Sequence, residues 1–359
     1  MPHPDVFIIG GGIVGLTTAY FLAKSGVRVT IADRSDLGKE ASWAGAGIIP
    51  PAGQKPVDSP LETLRAESIR RFRTLADELK SLTGIDNEFH DCPGIEYLDS
   101  HDQEALALWE RAGVPFQTAS PVPPWLAAVP GSVPYTLPYC QVRNPRHMAA
   151  LVAACRQVGV ELLPYQRIEP GKFPPAGRYL IAAGAWADEL LSPFAPYGLP
   201  KLVHPVRGQI VLFKPARPVM QGIVIVGHRY LVARKDGRVL AGSTEEPEAG
   251  FMKANTPEAV AELARFARGL VPELVHAEIE TSWCGLRPGS KDDQPYIGPV
   301  TGTKNVFAAV GHYRAGVQLS PGTAAIMASL LRGERPFLDV DPFRLDREPI
   351  PRTRPTFRA

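Results

Sequence analysis

Cysteine is scarce in this chain. Only Cys92, Cys140, Cys155 and Cys284 occur in 359 residues, with no C-x-x-C pair and no metal-ligand spacing. That excludes a disulfide scaffold and a cysteine-based metal centre, and it predicts reduced thiols in a cytoplasmic protein. Net charge is also slight, since Lys+Arg 39 against Asp+Glu 37 leaves +2. Neither a nucleic-acid binder nor a polyanionic protein fits that balance. No apolar run approaches the ~20 residues needed to cross a bilayer, so no membrane span is expected. The first apolar stretch, Asp5-Val6-Phe7-Ile8-Ile9, begins so close to Met1 that no signal peptide fits before it. Internal repeats, low-complexity tracts and long linkers are missing. Asparagine is rare, at Asn87, Asn144, Asn255 and Asn305, whereas proline reaches 37 residues. Heat adaptation gives that bias, and so does a GC-rich genome. What remains is an ordinary globular composition, 45% hydrophobic and 21% charged, with a length suited to about two domains of roughly 150 residues.

The apolar pattern places elements along the chain. Residues 5–10 read as a strand, Ile13 to Ser25 as a helix, and 27–32 as a second strand closed by Asp33. That is a β-α-β unit. Leu61, Leu64, Ile69, Phe72, Leu75, Leu79 and Leu82 have the spacing of one long amphipathic helix over 61–83. Residues 114–145, crowded with proline and aromatics, read as an irregular connection. A helix over 147–158, a strand over 160–163 and a buried strand over 178–184 follow. Short strands at 206–213, 223–226, 229–233 and 238–242 are separated by turn signals such as Lys235-Asp236-Gly237. A helix over 257–270, strands over 279–283 and 306–310, and a helix from Pro321 to Arg332 capped by Ser320 complete the chain. Parallel α/β signals thus bracket antiparallel hairpins. The expected fold is α/β, a discontinuous Rossmann-like dinucleotide domain (1–80, 140–205, 285–340) with a mainly antiparallel β substrate domain carrying helices (81–139, 206–284) and a tail over 341–359.

Gly10-Gly11-Gly12-Ile13-Val14-Gly15 satisfies G-x-G-x-x-G. Gly10 permits the tight turn, Gly12 admits a pyrophosphate to the backbone, and Gly15 lets the helix pack on the strands. Asp33 lies 23 residues after Gly10, where a carboxylate accepts hydrogen bonds from ribose hydroxyls. An acid there argues against NADP, while the motif alone does not separate NAD from FAD. The small residues of Glu40-Ala41-Ser42-Trp43-Ala44-Gly45-Ala46-Gly47-Ile48-Ile49-Pro50 allow the chain to pass close over a cofactor. Arg287, in Gly285-Leu286-Arg287-Pro288-Gly289-Ser290, stands between a predicted strand and a proline. Its guanidinium can clamp a carboxylate through two parallel hydrogen bonds, which a lysine cannot do.

Four stretches, Val6 to Arg34, Ala41 to Pro50, Tyr230 to Thr244 and Gly285 to Thr323, resemble the flavin-dependent amine and amino acid oxidases, the D-amino acid oxidase family, and within it the glycine oxidases. Weaker agreement at 182–186 and 205–209 extends the resemblance over most of the chain. It implies non-covalent FAD lined by Gly10, Gly12, Ile13, Val14, Gly15, Asp33, Arg34, Ala41, Ser42, Ala46, Gly47 and Ile48, with a backbone contact from Ile168. It implies that His312, Tyr313, Arg314, Ala315, Gly316, Val317 and Gln318 run along the flavin ring, His312 as a contact and not a base. It implies that Arg287 and Tyr230 hold the substrate carboxylate, with Arg314, Glu245 and Ile48 around the cavity. One departure is Glu245, which stands where glycine oxidases carry a methionine. An acid there either approaches the substrate amine or faces solvent. Cys284 lies one residue before the point aligned with the flavin-linked cysteine of sarcosine oxidases, and is read as a buried thiol.

The implied reaction oxidises an amine next to a carboxylate. Hydride leaves the α-carbon, the imino acid hydrolyses to an oxo acid and ammonia, and oxygen is reduced to hydrogen peroxide. The resemblance further implies a homo-oligomer, a tetramer, and a role in forming the thiazole of thiamine. The alternatives are a D-amino acid dehydrogenase passing electrons to a quinone, whose ring-side loop reads Gly-His-Gly, and a flavin-binding protein without turnover.

Overall fold

The structure, a computed structural model, describes residues 3–55, 58–100, 102–197 and 201–350. The N-terminal apolar run forms β1 (Val6–Ile9), every residue of it buried. It pairs in parallel with β2 (Val29–Ala32), and α1 (Ile13–Lys24) makes the crossover. Next come α2 (Ala41–Ala44), β3 (Ile48–Ile49) and α3 (Pro60–Thr83). The ends of α3 follow from sequence: the Ser59 hydroxyl accepts from Glu62 N, Pro60 opens the helix, and Gly84 closes it at φ 72°. Then follow β4 (His90–Asp99), α4 (Gln103–Ala112), β5 (Gln117–Thr118), β6 (Ser132–Gln141), α5 (Asn144–Gln157), β7 (Glu161–Leu163), β8 (Arg178–Ile181) and α6 (Ala187–Leu191). The second half contributes β9 (His204–Lys214), β10 (Ile223–Val226), β11 (Arg229–Ala233), β12 (Val239–Gly242), α7 (Pro257–Leu270), β13 (Glu278–Gly289), β14 (Tyr296–Pro299), β15 (Val306–Val310) and α8 (Gly316–Arg332).

Two sheets organise these elements. The first runs β14-β15-β8-β1-β2-β7 and is parallel apart from the β14–β15 pair. Val6 and Ile8 of β1 pack into the layer formed by α1, α3, α5 and α8, while Phe7 and Ile9 pack with α6 on the other face. Burial on both faces is why β1 is uninterruptedly apolar. The second sheet runs β13-β9-β12-β11-β10-β4-β6-β3, with β5 also on β6, and only β10–β4 is parallel. One face packs on α7 through Leu263, Ala267 and Leu270, and the other presents Ile210, Tyr230, Val232 and Leu240.

Three expectations are corrected. The connection expected over 114–145 contains β5 and the ten-residue β6. Pro134 and Pro138 lie four residues apart and so face the same side of the strand. Pro138 stands opposite Pro93, so neither is asked to donate across that pair. Likewise β13 does not stop at 283 but continues through Arg287 and Pro288, where Pro288 stands opposite Pro205 at the sheet edge. The divisions expected at 139/140, 205/206 and 284/285 lie within β6, β9 and β13, which are all strands of the second sheet. Finally, α8 begins at Gly316, and Pro321 lies inside it. The carbonyl that its missing N–H would have served, Val317 O, accepts from Ser320 Oγ at 2.9 Å instead. Of the expected tail, 341–350 is pinned by Arg347, which pairs with the fully buried Asp292, and 351–359 lies outside the described residues.

Candidate active site

A cleft runs between the two sheets, and its two ends are built differently. At one end β1 delivers the chain to Gly10, whose φ of +114° few side chains tolerate and where a Cβ would stand 2.4 Å from Ala182 O. Gly12 faces the cleft openly, since a Cβ there would meet only Ser42 Oγ at 3.3 Å. Gly15 does not line the cleft. It packs beneath the turn, where a Cβ would come within 2.0 Å of Gly10 O. Helix α1 starts with no side-chain cap of its own and no acid in its first turn, and Ile13 N donates to Ser42 Oγ at 2.9 Å. The free end of such a helix suits a phosphate. Asp33, at the end of β2, is held by three donors: Gly11 N at 2.7 Å, Ser35 N at 2.9 Å and Ser35 Oγ at 3.0 Å. A carboxylate has about four acceptor positions, so room remains for a hydroxyl. Arg34 lies 3.4 Å from the centroid of the Trp186 ring, and Ile168 lines the same end.

The small-residue stretch forms the next wall, with Ala41, Ser42, Ala46, Gly47 and Ile48 all on the cleft. It is fastened by distant side chains. Asn144 donates to Ser42 O at 2.7 Å, Trp283 to Ala44 O at 2.9 Å, and the buried Arg234 to Ala46 O at 2.7 Å. Gly47 adopts φ +69°, and a Cβ there would stand 1.9 Å from Val142 O.

At the other end, antiparallel strands bring together residues far apart in sequence. Arg287 on β13 and Tyr230 on β11 both line the cleft. Arg287 donates to Ser243 Oγ at 2.6 Å and to Thr244 O at 3.2 Å. Burial pulls its guanidinium below the ordinary arginine value. Two glycines make the space. A Cβ on Gly208 would come within 2.2 Å of the Arg287 nitrogens, and one on Gly242 within 2.6 Å of the Tyr230 hydroxyl. Both, with Ser243, were missed by sequence reasoning, because a glycine inside a strand carries no local mark of the side chain it makes room for. Trp109 of α4 and Glu62 and Arg65 of α3, which also reach the cleft, were missed for a related reason. Their helical spacing shows only that they pack.

The third wall is the loop from β15 into α8. Gly311 to Gln318 all line the cleft. His312 is buried, bonds Thr323 Oγ1 through Nε2 at 3.1 Å, and is pushed down to about 4 by that burial, so it is neutral at ordinary pH. Tyr313 adopts φ +46°, and its N–H donates to Pro288 O at 3.0 Å. Burial raises its phenol to about 12. Helix α8 opens with no side-chain cap and no acid in its first turn, so its dipole favours negative charge in the cleft. Gln318 Nε2 donates to Pro50 O at 3.0 Å and ties this wall to the small-residue stretch.

Glu245 departs from expectation. It does not itself line the cleft, and it does not stand free in solvent. The Tyr313 hydroxyl and the Arg314 guanidinium both donate to its carboxylate. Burial raises this carboxyl, but those two donors outweigh it and leave Glu245 below the usual glutamate value. Cys284 also stands off the cleft, half-buried, with its thiol pushed up by burial, whereas the neighbouring Gly285 lines it.

Comparison with known proteins identifies relatives of this chain. Residues 5–330 match the DAO family model, described as FAD dependent oxidoreductase. The chain is 36% identical to a glycine oxidase of Pseudomonas aeruginosa, covering 94% of this chain and 97% of that protein. It is 31% identical to a bifunctional ThiO/ThiG protein of Synechocystis, of which it spans 52%. The crystal structure of glycine oxidase from Geobacillus kaustophilus superposes with a TM-score of 0.88 at 31% identity, covering 97% of this chain and all of that one.

Proposed function

The chain belongs to the DAO family of FAD-dependent oxidoreductases, and from that premise we propose that it oxidises glycine and other small amino acids, such as sarcosine and D-amino acids, with non-covalent FAD. The observation that carries this reading is Arg287, a desolvated cation whose direct hydrogen-bond partners are the neutral oxygens of Ser243 and Thr244. Burying such a charge is costly unless an anion completes the site, and a planar carboxylate matches the guanidinium fork.

The cradle fits FAD. The turn at Gly10 and Gly12 and the start of α1 would take the pyrophosphate. Asp33 would take a ribose, with Arg34 and Ile168 on the adenine side. Ala41 to Ile48 and Gly311 to Gln318 would flank the ring. FAD, when bound, would supply the acceptor for one hydride, that is, two electrons and a proton, and oxygen would take the two electrons from it to give hydrogen peroxide. The chain's own residues bind and orient. Arg287 and the Tyr230 hydroxyl hold the carboxylate and thereby fix the α-carbon. His312, neutral and bonded to Thr323, and Tyr313, a phenol with its proton held by Glu245, are not placed to act as bases. The amine therefore enters deprotonated. The product imine takes up water and leaves as an oxo acid and ammonia.

Aerobic incubation with glycine, sarcosine and D-alanine should consume oxygen and yield peroxide in equal amounts, with no added acceptor. Turnover only with a quinone would assign a dehydrogenase, and a flavin that no amino acid bleaches anaerobically would leave a binding protein. Acid precipitation should release the flavin into the supernatant, whereas flavin in the pellet would mean a covalent link. The Synechocystis relative supports a role in thiamine thiazole synthesis, tested by restoring growth of a thiazole-requiring strain that lacks its own glycine oxidase. A tetramer in the cytoplasm completes the proposal, and light scattering and fractionation test it. No described helix is long and apolar enough to cross a membrane.

A further inference from the structure

Of the five arginines that line the cleft, Arg287 and Arg314 lie together at the end formed by the antiparallel strands and the loop before α8. Each lies close enough to weigh on the other's charge. They are not equivalent. The hydrogen bonds of Arg287 go to a hydroxyl and a carbonyl, so among the described residues no carboxylate forms a salt bridge with it. Arg314 already has one. Its Nη2 donates to Glu245 Oε2, and the other oxygen of that carboxylate accepts from Tyr313. This pair is well shielded, with the Arg314 side chain 11% exposed and that of Glu245 25% exposed. Glu245 is also anchored beside the clamp, because the preceding residue, Thr244, supplies the carbonyl that Arg287 binds. The neighbouring His228 is exposed, and desolvation with the nearby arginines lowers its imidazole below the usual value, so it adds no third positive charge. Two cations against one built-in carboxylate leave a single positive charge for the substrate.

We propose that Glu245 determines specificity by occupying the acid position opposite Arg314, so that the site accepts amino acids with one carboxylate and rejects those with a second. This rests on reading Arg287 as the substrate clamp. A substrate such as iminodiacetate or D-aspartate would bring its second carboxylate to a guanidinium already neutralised, beside a like charge. Rejection then comes from a repulsive group and not from lack of contact. Removing the charge while keeping the residue's shape should open the site to such substrates.

The test uses the FAD-loaded enzyme and two readouts. Acetate and malonate are titrated while the flavin absorbance is followed, and kcat/KM is measured for glycine and iminodiacetate. In Glu245→Gln, malonate should tighten relative to acetate by at least on the order of tenfold, and the iminodiacetate-to-glycine ratio should rise in parallel. Glu245→Asp, which keeps the charge, should stay near the parent in both ratios. Adding Arg314→Leu to Glu245→Gln should cancel the gain, which a loosened cavity alone would not do. Glu245→Ala serves as a second route to the same comparison if the glutamine variant fails to hold FAD. Unchanged ratios in a variant that still binds acetate would overturn the proposal while leaving the clamp intact. Acetate binding that survives Arg287→Ala would instead remove the clamp reading on which it rests.

Discussion

The two ends of the cleft are made by opposite means. At the end read as the dinucleotide site, backbone does the work, and residues within one short β-α-β unit supply nearly all of it: Gly10, Gly12, the start of α1 and Asp33. At the end read as the substrate site, side chains do the work, and they arrive from β11, β13 and the loops after β12 and β15. Glycine serves both ends in different ways. Gly15 lets two pieces of backbone touch, whereas Gly208 leaves room for a guanidinium. A cofactor used by many enzymes can be held by a local, repeatable turn. A particular substrate needs side chains whose meeting depends on strand register.

The sharpest way to break this contrast is to add one methyl group at each end. Gly15→Ala would press a Cβ to 2.0 Å from Gly10 O, backbone against backbone. We expect it to purify with little or no FAD and hence without activity, read from the ratio of flavin to protein absorbance. Arg287→Ala comes next in size. Hydrogen bonds to charged groups contribute about 1.5–3 kcal/mol each, so kcat/KM should fall by at least on the order of 100-fold with FAD content unchanged. Arg287→Lys should recover only part, because an ammonium keeps the charge but loses the fork. Near-normal kcat/KM in Arg287→Ala on every amino acid tested would place the clamp elsewhere. Gly208→Ala should be milder, since a side chain can give way where backbone cannot. We expect roughly a tenfold rise in the acetate dissociation constant with FAD retained, and loss of FAD instead would erase the distinction between the ends.

The last effect concerns stability and two buried histidines, His147 away from the cleft and His312 on its wall. Burial lowers His147 of α5 to about 3 and His312 to about 4, against an ordinary value of 6.5. Both take up protons more readily unfolded than folded. Their contribution to stability is therefore complete above about pH 6.5 and is lost as pH falls toward 4, at about 1.4 kcal/mol per pH unit for each histidine. Denaturant titrations between pH 6 and pH 4.5 should show this slope, and His312→Gln should remove about half of it.

How much could be read in advance follows the same division. The glycine turn, Asp33 and the long α3 were legible because each is decided by neighbours in sequence. Strand β6 was hidden by Pro134 and Pro138, which are breakers in general and harmless where their missing N–H groups are not needed. The start of α8 was hidden because Ser320 and Pro321 look like a helix beginning, although here they repair a gap inside one. Glu245 was visible as an unusual acid, but its partners lie 68 and 69 residues away, and only the folded chain brings them together.

Strand β13 carries Arg287, and its next residue, Pro288, offers the carbonyl that receives the N–H of Tyr313. One stiff ribbon thus gauges the gap between the group read as the substrate clamp and the loop read as the flavin wall. The gauge has no adjusting screw: Arg287 pairs with Val206 and Pro288 with Pro205 without interruption. Side chains along it can be exchanged, but its length cannot. Deleting or inserting one residue between Gly285 and Pro288 would turn the following side chains to the opposite face. Relatives with new substrates should therefore differ from this chain by replacement within that span and never by a change in its count.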